Sequence, residues 1–410
     1  MTQLSAEYPA EQPLQAAAVS EHSVAASVRS VEDAPAIAES AADAARQSQD
    51  VQIKFASGDV FLNVLRQRVD EYFTSSGRPR RDCLQMYIKT AVIMTWFVTS
   101  YVLLVFLATS WWQVLPLAAS LGASMACIGF NIQHDGSHAA YSRRRWVNSL
   151  MGMTLDLLGG SSYIWKKTHN LVHHSFTNIT GHDGDIDLGV LGRLSPHQRQ
   201  FRFHRLQHVY LWLLYGFITL KWQFVDDTLL FIRGSHSQFR FSRPRGWDLA
   251  VFLGGKLAFL SLAFALPLAM HSWTVVIPTF LLTSFLQGVL LSVVFQLAHC
   301  VECAEFPMPS DASGRMENAW AVHQVETTVN FARHNRLVTW FTGGLNHQIE
   351  HHLFPQICHI NYPALSGLLE QTCEEFGVRY SAHRTVFDAV GSHYRWLRKL
   401  GRETVTSSNC

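Results

Sequence analysis

Several things are scarce or missing in this 410-residue chain, and each absence narrows its class. Neither charge sign dominates: 33 Lys and Arg against 31 Asp and Glu leave +2, which argues against a nucleic-acid or strongly acidic partner. The seven cysteines (Cys83, Cys127, Cys300, Cys303, Cys358, Cys373 and Cys410) form an odd, scattered set. That is no disulfide framework, so a reducing environment is expected. Cys300 and Cys303 make one C-x-x-C, but no second pair completes a structural zinc site, and the pair reads as fortuitous. No H-E-x-x-H is present, which removes the common zinc-protease arrangement. The first fifty residues hold no basic start followed by an apolar stretch, so no secretory signal is read there, and their acidic residues oppose a mitochondrial transit peptide. Rich in Ala, Ser, Glu and Gln, they bury too little to offset the entropy of ordering and are expected to be disordered.

What the chain has in quantity is apolar surface: 48% hydrophobic residues, with 12 Trp and 26 Phe. Two long apolar regions stand out, each broken once, at ATSWWQ (Ala108 to Gln113) and at MHSW (Met270 to Trp273). A hydrocarbon core takes roughly 20 apolar residues per helix. Each region therefore reads as two spans with a tight turn, at about 86–108, 112–132, 248–270 and 273–298. Trp in both turns suits the membrane–water interface, and neither turn carries Lys or Arg. Arg78 to Arg81, Arg143 to Arg145 and Lys166–Lys167 all fall on the other side, so the turns are expected outside and the rest in the cytoplasm. Lys256 interrupts the third span and is expected to snorkel to the interface. The stretches 147–164 and 209–220 are too short or interrupted to cross, and read as interfacial or packed helices.

The expected fold is thus all-α and integral to the membrane: four transmembrane helices in two hairpins with a cytoplasmic helical di-metal domain. A disordered head covers 1–50, a cytoplasmic amphipathic helix and lead-in 51–85, and one large domain 86–410. In the lead-in, Phe61, Leu65, Val69 and Phe73 recur every four residues, the mark of a helix packed on one face.

The metal expectation comes from 21 histidines that cluster. HDGSH (His134, His138) follows span two, HNLVHH (His169, His173, His174) lies between the hairpins, His299 closes span four, and GGLNHQIEHHLFP carries His347, Gln348, His351 and His352. Residues four apart share a helix face, so His134/His138, His169/His173, His347/His351 and Gln348/His352 are chelating pairs. Four spans put every group on one side of the membrane; had 209–220 crossed, they would be separated. A single H-x-x-x-H occurs by chance on exposed helices, but three groups, two ending in His-His and all on one side, point to metal. Gln296, one turn before His299, reads as a packed polar residue. Neutral imidazole suits Zn, Cu, Fe and Ni. Soluble di-iron bundles use Glu and Glu-x-x-His ligands, whereas only Glu350 lies near this cluster. About eight histidines are many for one ion and suit two irons that activate oxygen.

These motifs resemble the membrane fatty acid desaturases, the histidine-box di-iron enzymes, over about 55–401. HDGSH looks like the first box, HNLVHH the second and QIEHH the third. A third box beginning with Gln is the mark of the front-end branch, which includes Δ5, Δ6 and sphingolipid Δ8 enzymes. FQLAH (Phe295 to His299) and HNLVHHSFTNITGHDGDID (His169 to Asp187) are similar to that branch outside the histidines as well. The resemblance implies two Fe ions, O2 as co-substrate, and as metal ligands His134, His138, His169, His173, His174, His299, Gln348, His351 and His352. Helical spacing offers His347 as partner of His351, while the family register gives that place to Gln348. His182, Asp183, Asp185 and Asp187 can orient ligand imidazoles or form a solvated loop; His323 and Asn330 receive no role. The His-Pro-Gly-Gly haem motif of a fused cytochrome b5 is absent, so an external donor, ferredoxin or free cytochrome b5, is expected, in a bacterial inner membrane. The acyl substrate is expected on CoA, lipid or carrier protein. Rival readings are a fatty acyl or sphingolipid hydroxylase on the same scaffold, and a metal transporter. Transport sites, however, lie near the bilayer midplane.

Overall fold

The structure is a computed structural model that describes residues 52–403; the head expected to be disordered lies outside the described residues. Among the described residues, four helices are long and apolar enough to cross a membrane: Leu84–Leu107, Trp111–Ser137, Gly246–Met270 and Trp273–His299. They are called spans one to four. Their bounds fall within a few residues of the expected ones, except that span two continues to Ser137 and so carries His134 itself.

Burial separates the spans into two kinds. Only 22% and 11% of the most apolar windows of spans one and three are buried, against 61% and 39% in spans two and four. Leu253, Leu257 and Leu260 of span three are exposed, which an apolar face accepts only against lipid. The chain is an integral membrane protein, with spans two and four at the centre. Among the described residues the only sheets are two pairs of two-residue strands.

Two local features set the register of span two. A π-helical turn at Ile128–Gln133 immediately precedes His134. One extra residue in a turn rotates the downstream residues by about 100°, so the turn re-aims the histidines. Gly343, at φ +61°, then brings the third histidine segment against this turn, since a Cβ there would run into the Phe130 carbonyl.

The lead-in forms a helix, Val60–Ser76, capped by the Asp59 side chain accepting from Leu62 N at 2.8 Å. Its inner residues Phe61, Leu65, Val69 and Phe73 are buried in one cluster with Ile349, Leu353, Leu365 and Leu369. Each such side chain contributes about 1.5–3 kcal/mol on burial, so this helix clamps the segment that carries His351 and His352. The stretch 147–164 breaks into short helices, and 209–220 into Gln207–Tyr215 and Ile218–Lys221, neither long enough to span.

Lys256 departs from expectation. It does not reach for the interface: its ammonium donates to the carbonyls of Gly159 and Gln223, at 2.5 and 2.9 Å, and meets the Asp227 carboxylate at 3.2 Å. The Asp227 side chain is 1% exposed and that of Lys256 18%. The buried carboxylate and the two carbonyls together hold the ammonium.

Candidate metal centre

Every histidine group converges at one end of spans two and four. His134 lies in the last turn of span two and His138 just beyond it. His169 and His173 sit on the π-helical segment Lys166–His173, and His174 follows directly. His299 is the last residue of span four. His351 and His352 lie on the short helix Gln348–Leu353. Gly136 allows the first group to settle against a neighbouring helix, since a Cβ there would stand 2.5 Å from Gly152 N.

The imidazoles form two groups. Ring nitrogens of His134, His138, His169 and His351 all lie within 4.8 Å of one another, and so do those of His173, His299 and His352. His174 joins His351 and His352 in a third set that bridges the first two. All are buried. Such a set fits two transition-metal ions better than one, because one ion cannot accept this many imidazoles.

The unpaired atoms test the fit. His138 Nε2, His169 Nε2, His173 Nε2 and His352 Nε2 are buried without a hydrogen-bond partner, as are His174 Nδ1 and His299 Nδ1. Buried polar atoms almost always find partners, so this many orphans in one cage call for a ligand. The opposite edges of three rings are occupied. His173 Nδ1 donates to Asp183 at 3.0 Å, His169 Nδ1 to Asp185 at 3.0 Å, and His352 Nδ1 to Gln324 Oε1 at 2.7 Å. An N–H committed outward leaves the other nitrogen's lone pair aimed inward, the arrangement metal-binding histidines use. His351 Nε2 and His174 Nε2 face each other at 3.0 Å, with the Tyr362 hydroxyl 3.3 Å from His351 Nδ1.

Electrostatics favour neutral, ligand-competent rings. Burial, reinforced by neighbouring imidazoles, holds His138, His174, His351 and His352 well below the usual histidine range. Burial likewise lowers His169, against the pull of Asp185. Burial opposes protonation at His173 too, but the charge and hydrogen bond of Asp183 outweigh it and raise that ring. A divalent cation would be met by neutral rings on most sides and by Asp183 and Asp185 behind two of them.

Gln348 stands where a ligand can: its amide lies 2.8 Å from His299 Nε2, and its Oε1 is buried without a partner. His347 is not brought into the cage. It sits at the N-cap of the helix, and its ring nitrogens join none of the imidazole groups found among the described residues. Among the acidic residues, Asp183 and Asp185 back the rings of His173 and His169, whereas Asp187 is exposed and caps Gly189 N at 2.8 Å. His323 Nε2 donates to the Thr177 carbonyl at 2.9 Å. Asn330 braces the third segment through Glu350 Oε2 at 2.8 Å and Ile349 N at 3.0 Å. Gln296 is buried with its Oε1 unpartnered. Cys300 and Cys303 are free, and no disulfide forms among the described residues.

Sequence reading missed Gln324 and Tyr362, which touch the rings of His352 and His351, and Trp165, whose ring stacks on His169 at 4.4 Å. It also missed the chain Lys89–His359–Asp135 beside His134, linked by contacts of 2.9 and 2.9 Å. No spacing rule marks these residues; HQ at 323–324 in AVHQVET was the nearest signal.

A cavity of about 120 Å³ opens between the spans. Tyr101, Leu104, Met125, Phe259 and Phe280 are among its lining residues. Met125 lies nine residues before His134, or about 14 Å along the helix.

Comparison with known proteins gives the family. The family described as fatty acid desaturase matches residues 109–384. The chain is 39% identical over 352 residues to an sn-1 linoleoyl-lipid 6-desaturase of Synechocystis sp., covering 86% of this chain and 98% of that protein. It is also 39% identical over 351 residues to a protein of the same name from Arthrospira platensis, covering 85% and 95%. With an acyl-lipid (8-3)-desaturase of Physcomitrium patens it shares 36% over 351 residues, covering 84% of this chain and 72% of that one.

Proposed function

The chain belongs to the fatty acid desaturase family, and from that membership we propose that it is an O2-dependent front-end desaturase placing a cis double bond in a lipid-linked acyl chain. The observation that carries this reading is the pair of buried imidazole groups, with orphaned nitrogens facing inward and carboxylates behind. The relatives' names, acyl-lipid desaturases acting at position 6 or of the (8-3) type, support the front-end branch.

The ligands assigned are His134, His138, His169 and His351 for one iron, and His173, His299, His352 and Gln348 for the other, with His174 between them. Held there, two irons would supply the oxidising power for desaturation, in which O2, two electrons and two protons together with two hydrogens from adjacent methylenes leave as two waters. The protein's own part is positional. Asp183, Asp185 and Gln324 fix the ring tautomers, so that the lone pairs face inward before any ion arrives. Trp165 covers one flank of His169, and the clamp helix Val60–Ser76 holds the third segment in register. The rings at His173, His299 and His352 are shut off from solvent, which keeps the oxidant from water.

The cage end of the spans is assigned to the cytoplasm of a bacterial inner membrane. The support is that Arg78, Arg80, Arg81, Arg143 to Arg145 and the two lysines at 166–167 lie on that side, while the turns carry none. Electrons come from a separate carrier, a ferredoxin or a free cytochrome b5.

Mass spectrometry of lipids from an expressing host, fed C18 and C20 acids, tests the reading. Products lighter by two hydrogens are expected. Products heavier by one oxygen would make the chain a hydroxylase, and unchanged lipids would defeat both.

A further inference from the structure

The chain's charges nearly balance overall, yet Arg233, Arg240, Arg243 and Arg245 fall within 233–245 with no Asp or Glu among them. All four are exposed. Arg243 donates to the Ile232 carbonyl at 2.5 Å, and among the described residues none of the four forms an ion pair. Uncompensated guanidiniums at this density repel one another, so a fold that keeps them together has a use for the field they make.

Their placement says which use. Ser235–His236 and Phe239–Arg240 form an antiparallel hairpin, with Ser235 opposite Arg240 and His236 opposite Phe239. Residues opposite one another share a face, and the two pairs take opposite faces. The inner face is docked: Phe239 stacks on Phe176 at 5.0 Å, and His236 packs directly on Gly184. The outer face therefore presents Arg240 to solvent. Gly184 lies between Asp183 and Asp185, the two carboxylates that hold His173 and His169. The basic surface is thus separated from the ligand imidazoles by one hairpin and one loop. The Tyr163 hydroxyl donates to the Ser242 carbonyl at 2.6 Å, tying the arginine stretch to the segment that carries exposed Lys166.

We propose that the hairpin Ser235–Arg240 and its flanking arginines are the seat of a small, soluble one-electron carrier protein with an acidic face, which passes electrons to the cage through the 183–185 loop. The proposal rests on the desaturase reading and names where its reductant binds. The same arginines also lie close to span three, since Arg245 directly precedes Gly246; anionic headgroups are therefore the competing occupant. The carrier is favoured because the outward guanidinium of Arg240 backs onto the ligand-bearing loop.

The test uses full-length protein in bilayer discs of neutral lipid, with product formation driven either by reduced [2Fe–2S] ferredoxin, as the acidic probe, or by reduced methyl viologen. Combining Arg240→Glu with Arg245→Glu is expected to raise KM for ferredoxin on the order of tenfold at low salt, and to flatten its dependence on ionic strength. Turnover with methyl viologen should stay within about twofold of wild type, and Arg240→Lys should behave as wild type, because a field needs charge and not a fork. An unchanged ferredoxin KM overturns the proposal. A loss shared with methyl viologen overturns it as well, since the hairpin would then be shaping the cage. So does a defect that appears only in discs of anionic lipid, which assigns the arginines to headgroups. If wild type makes no product with either reductant, the desaturase reading itself fails.

Discussion

Replacing Asp183 by Asn probes how the cage is organised without touching a proposed ligand. Asp183 is buried, and its two oxygens accept from His173 Nδ1 at 3.0 and 3.1 Å, from Asn178 N at 2.9 Å and from Asp185 N at 3.0 Å. Asparagine keeps the shape and one acceptor. The two backbone donors meet different oxygens, Asn178 N on Oδ2 and Asp185 N on Oδ1, so wherever the new NH2 falls it opposes one backbone N–H and stands beside His173 Nδ1. Facing a donor, His173 Nδ1 must accept, and its proton moves to Nε2, the atom that is buried and unpartnered inside the cage. A protonated nitrogen cannot bind metal. Losing such a partner costs about 10–100-fold in metal affinity or activity, or about 1.4–2.8 kcal/mol. The assay is iron content of the purified protein beside desaturated product from the expressing host. Asp187→Asn serves as control, because Asp187 is exposed and only caps a turn. Iron and product within twofold of wild type for Asp183→Asn would refute the tautomer argument.

His134→Ala and His299→Ala remove rings from different groups, so each should leave about half the iron while abolishing product; loss of all the iron in both variants would mean a single site. Lys256→Met strands buried Asp227, at a cost of about 3–5 kcal/mol in thermal unfolding. Burial already pushes the Asp227 carboxyl up to about 6 with Lys256 beside it, and without Lys256 it rises further. Below that range the carboxyl is neutral and needs no partner, so the gap between wild type and variant should shrink from pH 8 to pH 5; a gap that widens contradicts the pairing. Gly343→Ala forces a side chain onto the Phe130 carbonyl at positive φ and should cost more than about 1 kcal/mol, read as lower folded yield and lost product.

The spans were legible because hydrophobic length is a property of about 20 neighbouring residues, and the expected 86–108 met Leu84–Leu107 within two residues. That the histidine groups share one end of the spans was legible from parity, and that they meet there was argued from their number and spacing. What lay beyond the sequence depends on meetings between distant segments. Gln324 finds His352, and Asp227 finds Lys256, only because the helices that carry them pack together. Lys256 looked like a snorkelling residue because hydropathy sees the span and not the carboxylate waiting beside it. His347 looked like a helix partner of His351 because spacing does not say where ring nitrogens lie, and those of His347 join none of the imidazole groups found among the described residues. The π-helical turn before His134 has no local signature either, being set by how span two meets its neighbours.

Diffraction from the iron-loaded protein, with anomalous data collected on either side of the iron edge, addresses the central claim most directly. Two peaks are expected, one among His134, His138, His169 and His351 and the other among His173, His299 and His352. A single peak, or iron bound anywhere else, would contradict the account.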